Sequence, residues 1–374
     1  VCQRGYQMVH KQMRHIVIII IQFVECTGEP DWLLSVKCLA AFRAVPFHPS
    51  GAFSKQCFAG FATAACASFC RGWPRHKSCA GNSAGKFLDE LAPSVEQLLS
   101  SSGGCPWLSQ RAASECFQDV CDESDRALLV LEALRAQEAT CFGYPERARL
   151  QRKLVSSLGA VLYTVLIAVC RSSRDQGVAV SAACQSAVDK VQWRTPYMRE
   201  WGDGSTAATA GEAEAFWQKR KKMQNPKAAP GSTGLPSPPP GRTARDALIY
   251  VVERLAAREG CLWTATKKAD EMLGYLKGEC TETMEELDCL ACRGPGVADQ
   301  RCSALVSELG DVFFTVVMAI FIAARDHDLE LSAVEKSAVS SLQWRSPYMA
   351  AWGDGRQVSS PKEAESVWRS RGST

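Results

Sequence analysis

Histidine is nearly missing from this chain: five occur in 374 residues, and beyond His76 only His327 remains. A His-based catalytic centre is thereby excluded from everything downstream of residue 76. Eighteen cysteines are present, yet they lack the short, even spacings of a disulfide framework. Most therefore read as buried reduced thiols in a reducing compartment. Cys289 and Cys292 form a lone CxxC with neither a second pair nor a histidine at zinc-finger spacing, which makes them helix-packing thiols rather than a zinc site. Acids are scarce at one end. Residues 1–85 carry nine Lys/Arg against Glu25, Glu29 and Asp31, a balance of +6 that leaves −3 for residues 86–374 out of the net +3. The body of the chain thus offers no general basic surface, and nucleic acid is not an expected partner.

Residues 1–85 read as an address more than a fold. Lys11 and Arg14 precede an apolar run from Ile16 to Val24, too short for a membrane span. The stretch "AFRAVPFHPSGAFSKQCFAGFATAACASFCRGWPRHKSCAGNSAG" that follows is basic, rich in Ala and Ser, and free of acids. Two readings stand side by side: a plastid or mitochondrial presequence, or poorly ordered sequence in a cytoplasmic protein.

An internal repeat organises the rest. "SAVDKVQWRTPYMREWGDG" at 186–204 and "SAVSSLQWRSPYMAAWGDG" at 337–355 agree at 13 of 19 positions, and "GGCPW" (103–107) answers "EGCLW" (259–263). Between the copies, "MQNPKAAPGSTGLPSPPPG" holds six prolines from Pro226 to Pro240 and reads as a semi-rigid linker. The expected layout is a presequence-like region (1–85), a first domain (86–222), a linker (223–243) and a second domain (244–374).

Each copy reads as an all-α four-helix bundle. In the second, Leu248, Val251, Val252 and Leu255 recur at helical spacing, and a second helix is predicted from about Thr266 to Leu290. "CRGPGVADQ" breaks the chain at Gly294, Pro295 and Gly296. A third helix carries Leu305, Leu309, Val312, Phe313, Val316, Val317 and Ile320 and is apolar on nearly every face, as the central helix of a bundle is. From Val312 to Ala324 it has 13 residues without charge, short of the ~20 of a membrane span. A fourth helix runs from about Ser332 to Gln343.

Two acids interrupt the third helix, Glu308 and Asp311, three residues apart; Glu279 and Glu282 have the same spacing on the second, hence share a face. Residues 282 and 308 are equidistant from Pro295, as are 279 and 311. Antiparallel helices joined there bring Glu282 level with Glu308 and Glu279 level with Asp311, so that four carboxylates converge. An isolated ExxE is usually a solvated helix face. Glu308 and Asp311, flanked by Leu305, Leu309, Val312 and Phe313, have little water available, and a buried carboxylate cluster requires a cation. Hard divalent ions select oxygen ligands, and Mg²⁺ is usually held by a few carboxylates with water and substrate phosphates.

These residues carry a family resemblance. "GExxE", then "ELGDVFF", then "LQWRSPYM…GD", with the GCPW and GCLW openings, resembles the MazG-like all-α nucleoside triphosphate pyrophosphatases, over roughly residues 86–204 and 244–355. The resemblance implies a Mg²⁺-dependent hydrolase, Mn²⁺ being a possible substitute, that converts a nucleoside triphosphate to monophosphate and pyrophosphate in nucleotide-pool cleansing. It places Glu279, Glu282, Glu308 and Asp311 as metal ligands and catalytic residues, one glutamate also handling the attacking water, and Arg345 on phosphate oxygens. Trp263 is a candidate for stacking on the base, whereas Trp344 and Trp352 read as core.

The departures from the pattern are informative. Gly278 precedes Glu279 where MazG-type proteins often have a second glutamate, as in the dCTP-pyrophosphatase-like branch; Thr264 replaces the Asp after CPW; Ser341 stands where a Lys is expected. In the first copy the four acids become Glu123, Arg126, Ser157 and Ala160, so that copy reads as catalytically dead, although it keeps Lys190 and Arg194. Family members act as dimers or larger assemblies, and the two copies are expected to pair as an intramolecular pseudo-dimer, with homo-oligomers an additional option. Lys190 then either reaches triphosphate bound by the second copy or is a solvated surface lysine. Two functions remain: a pyrophosphohydrolase with one working site, or a nucleotide-binding scaffold whose second site has also decayed. Four acids spared in one copy, with three erased in the other, favour the enzyme.

Overall fold

The computed structural model describes residues 87–140, 144–223, 243–291 and 298–372. The presequence-like region, the proline-rich linker and the turn around Pro295 lie outside the described residues. Eleven helices and no strand occur among those described, as an all-α reading requires. Before the linker come α1 (Leu91–Leu98), α2 (Ala113–Thr140), α3 (Tyr144–Gln176), α4 (Val180–Arg194) and α5 (Ala210–Met223). After it come α6 (Ala244–Ala256), α7 (Leu262–Thr266), α8 (Ala269–Ala291), α9 (Ala298–His327), α10 (Leu331–Arg345) and α11 (Pro361–Ser370).

Local chemistry sets several of these ends. Thr243 opens α6 with a reciprocal capping box, its hydroxyl accepting from Asp246 N while the Asp246 carboxylate accepts from Thr243 N. The Ser360 hydroxyl caps α11 by accepting from Glu363 N, with Pro361 in the first turn, while the Glu363 carboxylate accepts from Ser359 N. At α1 the cap comes from the other half of the chain: buried Glu335 of α10 accepts from Glu90 N and Leu91 N.

The long helices decide the architecture. Both α3 and α9 are apolar on almost every face, and Leu158, Val161, Leu162, Leu309, Val312, Val316 and Ile320 are fully buried. By length and hydropathy both pass as membrane spans, longer than the 13 residues counted from Val312 because Glu308 and Asp311 ride on the same helix. In the protein, 72% and 83% of their most apolar windows lie inside the structure. A helix apolar all round needs partners on every side, more than its own repeat supplies. The repeats accordingly do not close as two separate bundles. Helix α4 packs on α9 and α6, α10 packs on α3 and α1, and α2–α8 and α3–α9 contacts lie between them. The two copies, each expected as a four-helix bundle and expected to pair, thus pack as one interleaved helical body among the described residues.

Two glycines mark the reciprocal crossings. A Cβ on Gly310 of α9 would lie 2.5 Å from Ala183 O of α4, and one on Gly159 of α3 would lie 2.9 Å from Ala338 N and 3.0 Å from Val334 O of α10. Each permits a backbone approach that no side chain allows. The shared motifs hold other reciprocal contacts. The Cys105 thiol shares a hydrogen bond with Tyr348 OH, and the Cys261 thiol with Tyr197 OH, so each CPW-like opening is pinned by the other copy's tail. Trp201 Nε1 donates to Thr195 Oγ1 and Trp352 Nε1 to Ser346 Oγ, which closes the two PYM…WGDG loops. Trp352 is half-buried, as a packing role requires, but Trp344 is 55% exposed, with Arg371 4.3 Å from its ring, and is not core. Among the described cysteines none forms a disulfide and six are buried. Cys289 is exposed rather than packed, and Cys292 lies outside the described residues.

Candidate functional site

Helices α8 and α9 pack along each other, and the spacing of their acids turns that packing into a site. Glu279, Glu308 and Asp311, all half-buried, each offer a carboxylate oxygen within 4.8 Å of the others. Glu282 stands apart: it is exposed and outside this tight group, although its charge acts on both Glu279 and Glu308. Of the four converging acids expected, three converge closely and the fourth flanks them. Burial first, and the neighbouring Asp311 carboxylate second, push Glu279 and Glu308 each up to about 7.

The site is completed by the other repeat. Lys190 of α4 is buried, its Nζ 2.5 Å from Asp311 Oδ2 and donating to both the carbonyl and the hydroxyl of Ser307 at 3.0 Å. Its reading as a solvated surface lysine is overturned, because the α4–α9 crossing at Gly310 presses it against the acids. Arg194, one turn further along α4, is held down by burial against the attraction of Asp311, Glu279 and Glu308. Its guanidinium lies 5.1 Å from the Trp217 ring, which stacks on Trp263 at 6.1 Å and 11°. Lys267 follows, 4.8 Å from the Trp263 ring and 3.4 Å from Tyr275 OH. A row of cation, two indoles and second cation thus leads away from the carboxylates.

Arg345 is elsewhere. It ends α10, which packs on the first repeat, and its Nη2 lies 3.5 Å from Glu123. Sequence order assigns it to its own repeat's acids; the interleaving hands those acids Arg194 instead. Glu286, one turn beyond Glu282 on α8, also acts on Glu308, and neither it nor Trp217 was singled out as a site residue from the sequence. Residue spacing alone points to Glu286 (four beyond Glu282), whereas nothing local to Trp217 announces its stacking across the repeats.

The donor set suits a hard divalent cation. Three carboxylate oxygens gathered at one point, two on groups that resist ionisation when no cation is present, are what such an ion neutralises. Comparison with known families agrees in kind: residues 267–350 match the family model described as the MazG nucleotide pyrophosphohydrolase domain. The match takes in α8, α9 and α10 and stops short of the first repeat. No curated protein and no solved structure matches the chain.

Proposed function

From the premise that the chain carries a MazG-family domain over residues 267–350, we propose that it is a Mg²⁺-dependent nucleoside triphosphate pyrophosphohydrolase with one working site, built on α8 and α9 and completed by α4. The single observation that carries this reading is the convergence of Glu279, Glu308 and Asp311 beside Lys190 and Arg194, anionic ligands for a cation next to cationic ligands for phosphate.

Glu279, Glu308 and Asp311 would hold the ion. When bound, Mg²⁺ offsets negative charge building on the phosphoryl oxygens and acidifies water. Arg194 grips the phosphate chain through its fork of donors, and Lys190 adds a point charge beside Asp311. Glu282, outside the tight group yet close enough to feel its charge, is the carboxylate left to take the proton of the attacking water. Water oxygen bonds to phosphorus, the bridge between the α and β phosphates breaks, and monophosphate and pyrophosphate leave. Trp263, already stacked on Trp217, forms the aromatic wall toward which the base would extend.

On this reading the missing lysine of the second copy is no defect of the working site. Ser341 lies three residues past Ala338, which meets Gly159, as Lys190 lies three past Ala187, which meets Gly310. Ser341 therefore answers to the first copy's Ala160, and acid and lysine are absent there together. A panel of NTPs and dNTPs with Mg²⁺, assayed for pyrophosphate against orthophosphate with Glu308→Gln as blank, tests the proposal. Pyrophosphate release by the wild type alone is the expected result; no release from any triphosphate would leave only a binding protein.

A further inference from the structure

The first copy's site has lost its metal ligands but kept its cavity. A pocket of about 210 Å³ opens where α2 and α3 meet the end of α10 and α11, walled by Trp107, Glu123, Arg126, Thr164, Arg345 and Trp368. Its chemistry is inverted relative to the acid site. Arg126 occupies the place of Glu282, while Ser157 and Ala160 replace Glu308 and Asp311. Two guanidiniums converge on one carboxylate: Arg126 Nη1 lies 2.6 Å and Arg345 Nη2 3.5 Å from Glu123 Oε1. Of the remaining charges of the wall, Asp119 pairs with Arg111 and Arg369 with Glu365, whereas Asp122 bonds the neutral amide of Gln118 and still acts on Arg126. At the centre of the pocket two guanidiniums are therefore balanced by two carboxylates, and an anion has to take the place of Glu123 to be held.

A second observation points to a missing acceptor. Tyr163 stands where the second copy has Phe314, is fully buried, and its hydroxyl has no hydrogen-bond partner. Tyr163 does not itself line the pocket but sits behind its wall: Arg345 lies 5.6 Å from its ring, and the charges it feels are those of Arg345, Glu123, Asp119 and Arg126, which do line it. A buried hydroxyl with nothing to bond is costly, and a phenol gained in place of a phenyl needs a reason.

We propose that this cavity is a metal-independent site for a small phosphate-bearing anion, held by Arg126 and Arg345, with the Tyr163 hydroxyl as an added donor and Glu123 as the internal placeholder that the anion displaces. Two guanidiniums and a phenol match phosphoryl oxygens, and no carboxylate cluster is left to demand a cation. The inference stands whether or not the other site hydrolyses anything. Pyrophosphate and a nucleoside monophosphate are two sources of the same chemistry.

The test is calorimetric titration of the full chain in excess EDTA with pyrophosphate, with a nucleoside monophosphate and with the unphosphorylated nucleoside. At least one phosphate-bearing probe is expected to bind and the nucleoside is not, and the tighter of the first two identifies the source. Arg126→Ala should weaken binding about tenfold, the worth of one charge-assisted hydrogen bond. Tyr163→Phe, which keeps the packing, should weaken it less. Glu123→Gln should tighten it by freeing both guanidiniums, a result that a purely structural ion pair does not give. Lys190→Met, in the other site, should leave it unchanged. Absence of binding in EDTA, equal binding of the bare nucleoside, or binding lost in Lys190→Met and retained in Arg126→Ala would each overturn the proposal.

Discussion

The two copies hold the same row of side chains and end it differently. In one, Arg194, Trp217, Trp263 and Lys267 lead to three clustered carboxylates; in the other, Arg345, Trp368, Trp107 and Arg111 lead to Glu123 capped by Arg126. In both rows the first cation and first indole come from one repeat and the second pair from the other. The row of cations and indoles is therefore shared where the carboxylate set is not. A buried carboxylate needs a positive partner: at Glu123 it is a fixed guanidinium, and at the acid cluster, on the proposed function, it would be an exchangeable cation. The Lys190–Asp311 pair belongs to the same contrast, its reciprocal positions being Ser341 and Ala160.

The sharpest way to break the comparison is to neutralise one acid in each half. Glu308→Gln is expected to reduce pyrophosphate release by about 10³-fold or more, because several kcal/mol of charge stabilisation goes with the ion. Glu123→Gln is expected to leave turnover within about twofold, no substrate chemistry being assigned to its pocket. Comparable losses in both variants, measured as steady-state kcat/KM, would mean that the first copy is not catalytically silent. The next largest effect concerns the arginines. Arg194→Ala should lower kcat/KM by about 10- to 100-fold, the range for a charged hydrogen bond to phosphate, whereas Arg345→Ala should cost less than about threefold. The reverse ranking would restore Arg345 to the acid site and contradict the interleaved reading.

How far the sequence carried these conclusions depends on the range of the interaction. Helix content was legible from local periodicity: α6 buries the Leu248, Val251, Val252 and Leu255 stripe, and α8 and α10 (Ala269–Ala291 and Leu331–Arg345) lie within a few residues of the spans expected from pattern and breakers. Most of the acid cluster was legible too, because the breaker residues around Pro295 predict two adjacent antiparallel helices, and Glu279, Glu308 and Asp311 do come together while Glu282 stands apart. What composition and spacing did not disclose was the exchange of α4 and α10 between copies. That exchange is set by reciprocal long-range contacts, Gly310 on Ala183 and Gly159 on Ala338, and single-copy periodicity is silent on which copy supplies the partner. Arg345 was consequently placed with the wrong carboxylates, and Trp344, flanked by two residues of the shared motif, looked like core while lying exposed under Arg371.

Proton linkage separates the two sites in a third, smaller way. Glu279 and Glu308 sit at about 7 in the fold, above the ordinary 4.5, so the folded metal-free chain retains protons that the unfolded chain has released between those limits. Stability contributed by these groups is present below about 4.5 and is lost as pH rises toward 7. An ion that replaces the protons reverses the loss. The Mg²⁺-induced rise in melting temperature is accordingly expected to be larger at pH 8 than at pH 6, and Glu308→Gln should flatten that difference while Glu123→Gln preserves it. Thermal scans with and without Mg²⁺ at the two pH values decide; an equal rise at both would show that the carboxylates carry no extra proton.

The smallest expected contrast is in the crossings themselves. Gly159→Ala and Gly310→Ala each thrust a methyl into backbone of the opposite copy, at 2.9 Å from Ala338 N and 2.5 Å from Ala183 O. Overpacking of this kind costs about 1–3 kcal/mol, so both variants should melt several degrees lower, by similar amounts. Their kinetics should part company. At Gly310 the methyl pushes α4 away one turn from Lys190, so the distance from Lys190 to Asp311 should lengthen and kcat/KM should fall along with stability. At Gly159 the helix displaced is α10, which serves the cavity around Glu123 and not the acid cluster, and hydrolysis by the remaining folded protein should be nearly unchanged. Equal kinetic penalties at matched folded fraction would mean that the two halves move as one rigid unit, and that the division of labour between them is chemical alone.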